Sequence, residues 1–500
     1  MTEGRAHVLL LDLLDGITPL RIEGDPAVDV QTVEYDSRRV GPGACFACVP
    51  GLHTDGHVHA PAAVAAGAVA LLVERPLGLG VTEARVPEVR RVLGPVAARM
   101  AGDPSHALRC VGVTGTNGKT TTTYLLYAIA TAAGTPAGLI GTTGARIGRD
   151  ALDAVDLGFT TPEAPDLQRL LATMRDERVE MVAMEVSSHA LDQHRVDGTR
   201  FAAACFTNLS HDHLDYHRTL EAYFEAKARL FAPELSDLAV TNLDDPHGRE
   251  IARRAAGSGL PVFTYARDDA TADFGVEVVG YGLAGTDLVL EDRRAGERVA
   301  ITVGLLGPVN VANVLAAAAT ARALGVPFAA VARGCASVSV VPGRLERVDA
   351  GQPFSVLVDY AHTPEALAHA VAAARVLAGA GRVAVVFGCG GDRDTDKRVP
   401  MGTAASAADL VVVTSDNPRS EDPARIATAA ARGVRDAGGS PVVELDRRSA
   451  IATALDWAAP GDVVLVAGKG HESTQTVAGV TLPFDDRVVV RELLEAAPCR

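Results

Sequence analysis

Short apolar runs alternate along the 500 residues with segments whose apolar positions recur every three or four residues. That alternation is the signature of strands interleaved with helices. In residues 1–108 it predicts strands at 33–35, 45–49 and 68–74, a turn at 41–43 and a helix over 57–66. From 109 to 342, apolar runs at 111–113, 137–140, 182–186 and 202–206 each feed a polar loop, and Leu167, Leu170, Leu171 and Met174 mark a helix face. Between about 273 and 306 the pattern turns to strict alternation with turns at 282–285 and 293–296, an antiparallel excursion, and 310–323 returns to helix. From 343 to 500, strands are predicted at 356–358, 383–387, 410–413, 442–445 and 463–466 between Ala-rich helices. The expected fold class is α/β with mostly parallel sheets. The length fits three domains: a small N-terminal α/β domain (1–108), a central one (109–342) and a C-terminal one (343–500).

The most informative stretch is CVGVTGTNGKTTTT at 110–123. A strand runs into a Gly/Thr/Asn loop, then Lys119 and four threonines open a helix whose buried face carries Leu125, Leu126 and Ile129. Backbone N–H groups and a helix N-terminus facing one point form a phosphate cradle, with Lys119 neutralising the terminal phosphates. A threonine hydroxyl, Thr120, is placed to ligate Mg²⁺. Val113 sits where the common G-x-x-x-x-G-K spacing needs its first glycine, so the usable glycines are Gly112, Gly115 and Gly118.

Composition changes this picture in two places. The net charge of −15 and the lack of a Lys/Arg-rich run argue against a nucleic-acid partner. Of 47 basic residues only four are lysine: Lys119, Lys227, Lys397 and Lys469. Where a bare positive charge suffices this chain uses arginine, so a persisting lysine is a candidate for chemistry that a guanidinium cannot do. Lys227, on a predicted helix with Tyr223, Leu230 and Phe231 as its apolar face, reads in isolation as a surface residue, and only its rarity argues otherwise. The seven cysteines do not suggest a disulfide framework, and Cys45 and Cys48 read as buried thiols. The longest apolar run, 62–73, is too short to span a bilayer, which needs roughly 20 residues. The expectation is a cytoplasmic monomer without a membrane span.

Strand ends of open parallel sheets are where ligands bind. Glu185 ends one predicted strand and is the obvious carboxylate for a metal. His213 lies in a His/Asp cluster beyond another, where a buried, satisfied histidine is the competing reading. Three histidines and two aspartates within 210–217 would suit zinc, but carboxylate and phosphate chemistry fits magnesium better. In the last third, Asp416-Asn417-Pro418-Arg419 offers acceptors and a fork donor, a combination suited to a ligand carrying both ammonium and carboxylate.

Ordered along the chain, Asp36-Ser37-Arg38, GTNGKTT at 115–121, Thr160-Thr161-Pro162, EVSSHAL at 185–191, DHLDYH at 212–217, Glu225 to Arg229, PGRLE at 342–346, DYAHTP at 359–364, GCGGDRD at 388–394, DNPR at 416–419 and GKGHE at 468–472 resemble the Mur ligase family. Within it they look like the type that adds the third stem-peptide residue in peptidoglycan precursor synthesis. The resemblance implies an N-terminal uridine-nucleotide domain, a central P-loop ATPase and a C-terminal Rossmann-like domain. It implies an ATP-dependent, Mg²⁺-requiring amide ligase that joins meso-diaminopimelate to UDP-N-acetylmuramoyl-L-alanyl-D-glutamate through an acyl phosphate. The alternatives are a lysine-adding or other ligase of the superfamily, or a catalytically silent nucleotide-binding regulator.

Carried over residue by residue, catalysis falls to Lys119, Glu185, His213 and Lys227, the last carbamylated to N6-carboxylysine. Thr120, Glu185, His213 and modified Lys227 hold the metal. ATP falls to Gly115, Thr116, Asn117, Gly118, Lys119, Thr120, Thr121, Asn310, Arg344 and Asp359. The UDP substrate falls to Ser37, Leu52, His53, Thr54, Thr160, Thr161, Ser187, Gln193 and Arg195. Diaminopimelate falls to Arg393, Asp416, Asn417, Pro418, Arg419, Gly468 and Glu472. Three places depart from the family's pattern: Phe159 stands where Asn is usual, Asp396 and Val399 interrupt D-R-D-x-G-K-R-P, and Val309 precedes Asn310.

Overall fold

The computed structural model describes residues 7–51, 54–148, 150–151 and 159–496. Three large sheets carry the chain. The first, of five strands in the order Arg21–Glu23, Thr82–Arg85, Ala68–Val73, Ala44–Ala47 and Thr32–Glu34, is parallel except at its first edge. Its central strands, AVALLV and ACFA, are apolar on both faces, as expected for parallel strands covered on each side. The predicted helix over 57–66 opens with a turn of 3-10 helix at Gly56–His59 before Ala60–Ala65. Cys45 and Cys48 are fully buried, and burial pushes each thiol up to about 12.

The second sheet has eleven strands. Its middle runs Ala137–Gly141, Met181–Glu185, Arg109–Thr114, Phe201–Phe206, Ala239–Asn242 and Val262–Tyr265, all parallel. The antiparallel excursion is the meander Phe274–Gly282, Gly285–Asp292 and Glu297–Val303 at one edge. The helix Lys119–Ala132 packs beneath the sheet against Phe328–Ser337, and there a Cβ on Gly334 would stand 2.3 Å from the Ile129 Cα. That approach is open only to glycine. The alanine-rich helix Pro308–Ala323 is buried along nearly its whole length.

The third sheet, in the order Glu346–Val348, Ser355–Asp359, Val463–Ala467, Val383–Phe387, Leu410–Val413 and Val442–Val443, is parallel except for its first strand. The last strand is shorter than predicted. A hairpin of Thr474–Val477 and Val480–Pro483 was not anticipated. Among the described residues no helix is long and apolar enough to cross a membrane.

One buried ion pair ties the third sheet's strand ends together. Arg447 and Asp486 have no exposed side-chain surface and pair at 2.7 Å through two guanidinium nitrogens. The same guanidinium donates to the carbonyls of Ala467 (3.0 Å) and Ser415 (3.2 Å), where the loops bearing Gly468 and Asp416 begin. Removing one member of a buried pair leaves an uncompensated charge. Arg447→Ala is therefore expected to destabilise this unit by about 3–5 kcal/mol, read as an earlier unfolding transition in urea.

The first and second sheets meet through charge. Asp166, on the helix Ala164–Asp176, accepts from the Tyr35 hydroxyl (2.8 Å) and from the Arg39 (2.8 Å) and Arg169 (2.7 Å) guanidinium groups. Arg169 also reaches buried Glu34 at 2.9 Å.

Candidate active site

The loops at the C-terminal ends of the second and third sheets' parallel strands face each other across a cleft of about 1610 Å³. The phosphate loop forms one wall. Gly115 (φ 152°) and Gly118 (φ 89°) are both in glycine territory. A Cβ on Gly115 would stand 1.9 Å from the Thr207 hydroxyl, and one on Gly118 would stand 2.3 Å from Asn313 Oδ1. Neighbouring side chains thus hold the loop tightly. Lys119 Nζ donates to the Gly115 (2.8 Å) and Thr116 (2.9 Å) carbonyls, so its ammonium lies over the cradle. Burial lowers its pKa, with the Glu185 and Asp212 carboxylates acting against the shift.

Glu185 is almost fully buried at its strand end. One carboxylate oxygen accepts from Thr142 N (2.9 Å), the other from the hydroxyls of Thr120 (3.1 Å) and Thr142 (3.1 Å). A P-loop hydroxyl and a carboxylate therefore meet at one point, a hard-oxygen pair of the kind Mg²⁺ takes. His213, with φ 53°, sits beside Asp212 at 3.4 Å. Burial lowers its imidazole to about 4, leaving it neutral near pH 7 with a lone pair to give.

Lys227 is not a surface residue. It is 1% exposed, its Nζ donates to the same Gly115 carbonyl as Lys119 (2.8 Å), and it lies 4.5 Å from the Tyr223 ring centre. Burial, and then the Lys119 charge, pull its pKa well below that of a free lysine.

Thr160, Ser187, Gln193 and Arg195 line the far wall. Arg195 is buried and paired with Glu163 at 3.0 Å, donates to Gln193 Oε1 (2.8 Å), and lies 4.5 Å from the centre of the Phe159 ring. Thr161 is just behind, its hydroxyl spent on the Glu185 carbonyl (2.9 Å) and on Ser187 N (3.0 Å).

Across the cleft, Arg344 stacks on Tyr360 at 4.6 Å, donates to the Thr120 hydroxyl at 3.1 Å, and keeps its buried Nε without a partner. Asp359 accepts from Leu345 N (2.7 Å) and Ala361 N (2.9 Å), and burial raises its pKa. Asn310 is buried, donates to the Leu306 carbonyl (2.8 Å) and accepts from Asn313 (3.0 Å). Arg393 and Glu472 complete this wall.

Asp416, Asn417, Pro418, Arg419 and Gly468 stand one layer behind it. They are joined to it where Asn417 Nδ2 donates to Glu472 Oε2 at 2.8 Å. A Cβ on Gly468 would lie 2.5 Å from Asp416 Oδ2. Ser37 and Thr54 belong to the first-sheet unit and are not among the cleft's lining residues. Leu52 and His53 lie outside the described residues.

Three contributors escaped the sequence reading. Asn313 follows Asn310 by one helical turn, a spacing that could have revealed it. Thr142 begins the Thr-Thr-Gly run after a strand. The hairpin behind Asn417 carries no such signal.

Three family descriptions match this chain: "Mur ligase family, catalytic domain" over residues 29–101, "Mur ligase middle domain" over 113–321, and "Mur ligase, glutamate ligase domain" over 343–470. A protein of Streptomyces coelicolor named UDP-N-acetylmuramoyl-L-alanyl-D-glutamate–2,6-diaminopimelate ligase is 46% identical, with 94% of each chain covered. One of the same name from Geobacillus thermodenitrificans is 46% identical over 94% of this chain and 95% of its own. A solved structure bearing that ligase name superposes with a TM-score of 0.71 at 34% identity, covering 98% of this chain and 99% of the other.

Proposed function

The chain belongs to the Mur ligase family, and we propose that it is the ATP-dependent amide ligase that adds meso-diaminopimelate to UDP-N-acetylmuramoyl-L-alanyl-D-glutamate. The observation that carries this reading is a single cleft with the phosphate loop, Glu185 and Lys227 on one wall and Glu472, backed by the Asn417–Arg419 loop, on the other. An acid activated at one wall is thereby within reach of an amine delivered from the other. The same reading divides the chain into a uridine-nucleotide domain (1–108), an ATPase domain (109–342) and an amino-acid domain (343–500).

Lys119 and the amides of residues 115–121 hold the transferring phosphate of substrate ATP, with Arg344, Asn310 and Asp359 closing on the nucleotide from the opposite side. Preorganised positive charge aimed at the transferring group is most of what phosphoryl transfer requires. Arg195, its guanidinium oriented by the Nε pair with Glu163, holds a carboxylate of the muramoyl-dipeptide, with Thr160, Ser187 and Gln193 beside it and Thr161 positioning them. The substrate's γ-carboxylate oxygen attacks the γ-phosphorus and ADP leaves. The free amine then attacks the acyl carbon, phosphate leaves, and the nitrogen sheds its proton to give the amide.

Magnesium fits the donor set. Glu185 and Thr120 supply oxygens and neutral His213 a nitrogen, yet among the described residues no three His, Cys, Asp or Glu side chains form a metal-holding group. Lys227, buried beside Lys119 with its pKa lowered, would supply the missing anion if it adds CO₂, its N–C bond forming as a proton leaves, to give a carbamate. Held there, Mg²⁺ would supply positive charge to offset that of the phosphate oxygens.

Phosphate release coupled to a chromogenic reaction, with the UDP-dipeptide as acceptor, tests the proposal. Turnover is expected to require meso-diaminopimelate and to be at least about 10²-fold slower with L-lysine, which lacks the distal carboxylate that a bidentate arginine holds. Equal turnover would favour the lysine-adding alternative, and no turnover with either would favour a silent regulator.

A further inference from the structure

The hairpin of Thr474–Val477 and Val480–Pro483 turns on two residues, Ala478 (φ 50°) and Gly479 (φ 78°), both left-handed. Such turns match the twist of the strands they join but favour Asn or Asp at the first position. Alanine there has no side chain to support the conformation. The support comes from the neighbouring loop, because Gly479 N–H donates to the Arg419 carbonyl at 3.3 Å.

The contacts run the other way as well. Arg419 N–H donates to the Thr476 carbonyl (3.0 Å), Thr476 N–H to Asn417 Oδ1 (3.0 Å), and Gln475 Nε2 to the Asp416 carbonyl (2.7 Å). The outward edge of the first hairpin strand thus pairs with residues 416–419, with a parallel bridge between Arg419 and Val477. Arg419 is itself left-handed (φ 53°), a conformation that a non-glycine residue keeps only when its surroundings hold it. Its guanidinium then lies against the Gly391 carbonyl. Asn417, its oxygen engaged by the hairpin, is left with its Nδ2 for Glu472.

We infer that this hairpin is the specificity-positioning element of the amino-acid subsite, and that Gln475 is a positioning residue within it. By clamping the Asp416 carbonyl, Gln475 holds the backbone that aims the Arg419 fork, while the Asn417–Glu472 pair is held separately by the Thr476 N–H on Asn417 Oδ1. A ligand with a distal carboxylate uses both, and one without it uses only the second. The inference rests on the reading of the chain as a diaminopimelate ligase.

The test is steady-state kinetics on the full chain with both amino acids. Gln475→Ala is expected to raise the KM for meso-diaminopimelate about tenfold, the worth of one net hydrogen bond. L-lysine turnover and the KM values for ATP and the UDP-dipeptide stay unchanged, so the preference shrinks. Adding Ala478→Asn, the residue that such turns favour, restores part of the preference in the double variant. A parallel loss for both amino acids would make Gln475 merely structural and overturn the inference, as would an unchanged preference. If the unaltered chain already used lysine as well as meso-diaminopimelate, the functional reading itself would fall, and the inference with it, before any variant was compared.

Discussion

Lys227→Ala lowers turnover by about 10³-fold, the loss expected when a preorganised charge is removed from a phosphoryl-transfer site, and added formate or acetate restores part of it. Three features of the site lead to this expectation. The side chain is buried, it donates to the Gly115 carbonyl, and Lys119 shares that same carbonyl. A second ammonium held there would repel the first, and burial together with the Lys119 charge favours the neutral amine. A neutral amine can take up CO₂ and turn a repelling neighbour of Lys119 into an anion beside the phosphate loop. A small carboxylate diffusing into the space left by alanine places the same charge at nearly the same point. Phosphate release measured with and without the acids checks both halves. Full activity in the alanine variant would remove the carbamate from the site, and loss without rescue would leave Lys227 as a packing residue only.

The sequence disclosed the strand ends more fully than the distances between them. Tyr223 and Lys227 are one helical turn apart, so the spacing that placed Tyr223 on an apolar face already placed Lys227 there too, and reading it as exposed followed residue type over periodicity. Left-handed Arg419 could not be foreseen, because its residue type does not favour that conformation and tertiary contacts impose it; histidine visits it more often, but nothing in the sequence singles out His213 among the histidines. The hairpin was hidden for a related reason: an Ala-Gly turn lacks the Asn-Gly or Asp-Gly signal. Ser37 has motif support and Thr54 follows from the resemblance, yet sequence order carries no information on how far the first sheet's loops stand from the cleft.

Lys119→Arg, which conserves charge, is expected to be as damaging as loss of Lys227, again about 10³-fold in phosphate release. The chain uses arginine at 43 of its 47 basic positions, so the change is the one its composition would most readily tolerate if charge alone mattered. The loop geometry forbids it. The ammonium is seated by two carbonyls at 2.8 and 2.9 Å, within a turn where even a methyl on Gly115 or Gly118 would collide with Thr207 or Asn313. A planar guanidinium is wider than an ammonium and cannot meet both carbonyls and a phosphate oxygen from that seat. The KM for meso-diaminopimelate should stay unchanged, because residues 416–419 and 472 are held by hydrogen bonds within the third-sheet unit. Near-normal turnover in this variant would mean that the lysine acts only as bulk positive charge. The lysines that persist in an arginine-biased chain would then no longer mark chemistry, and the case for Lys227 would rest on its burial alone.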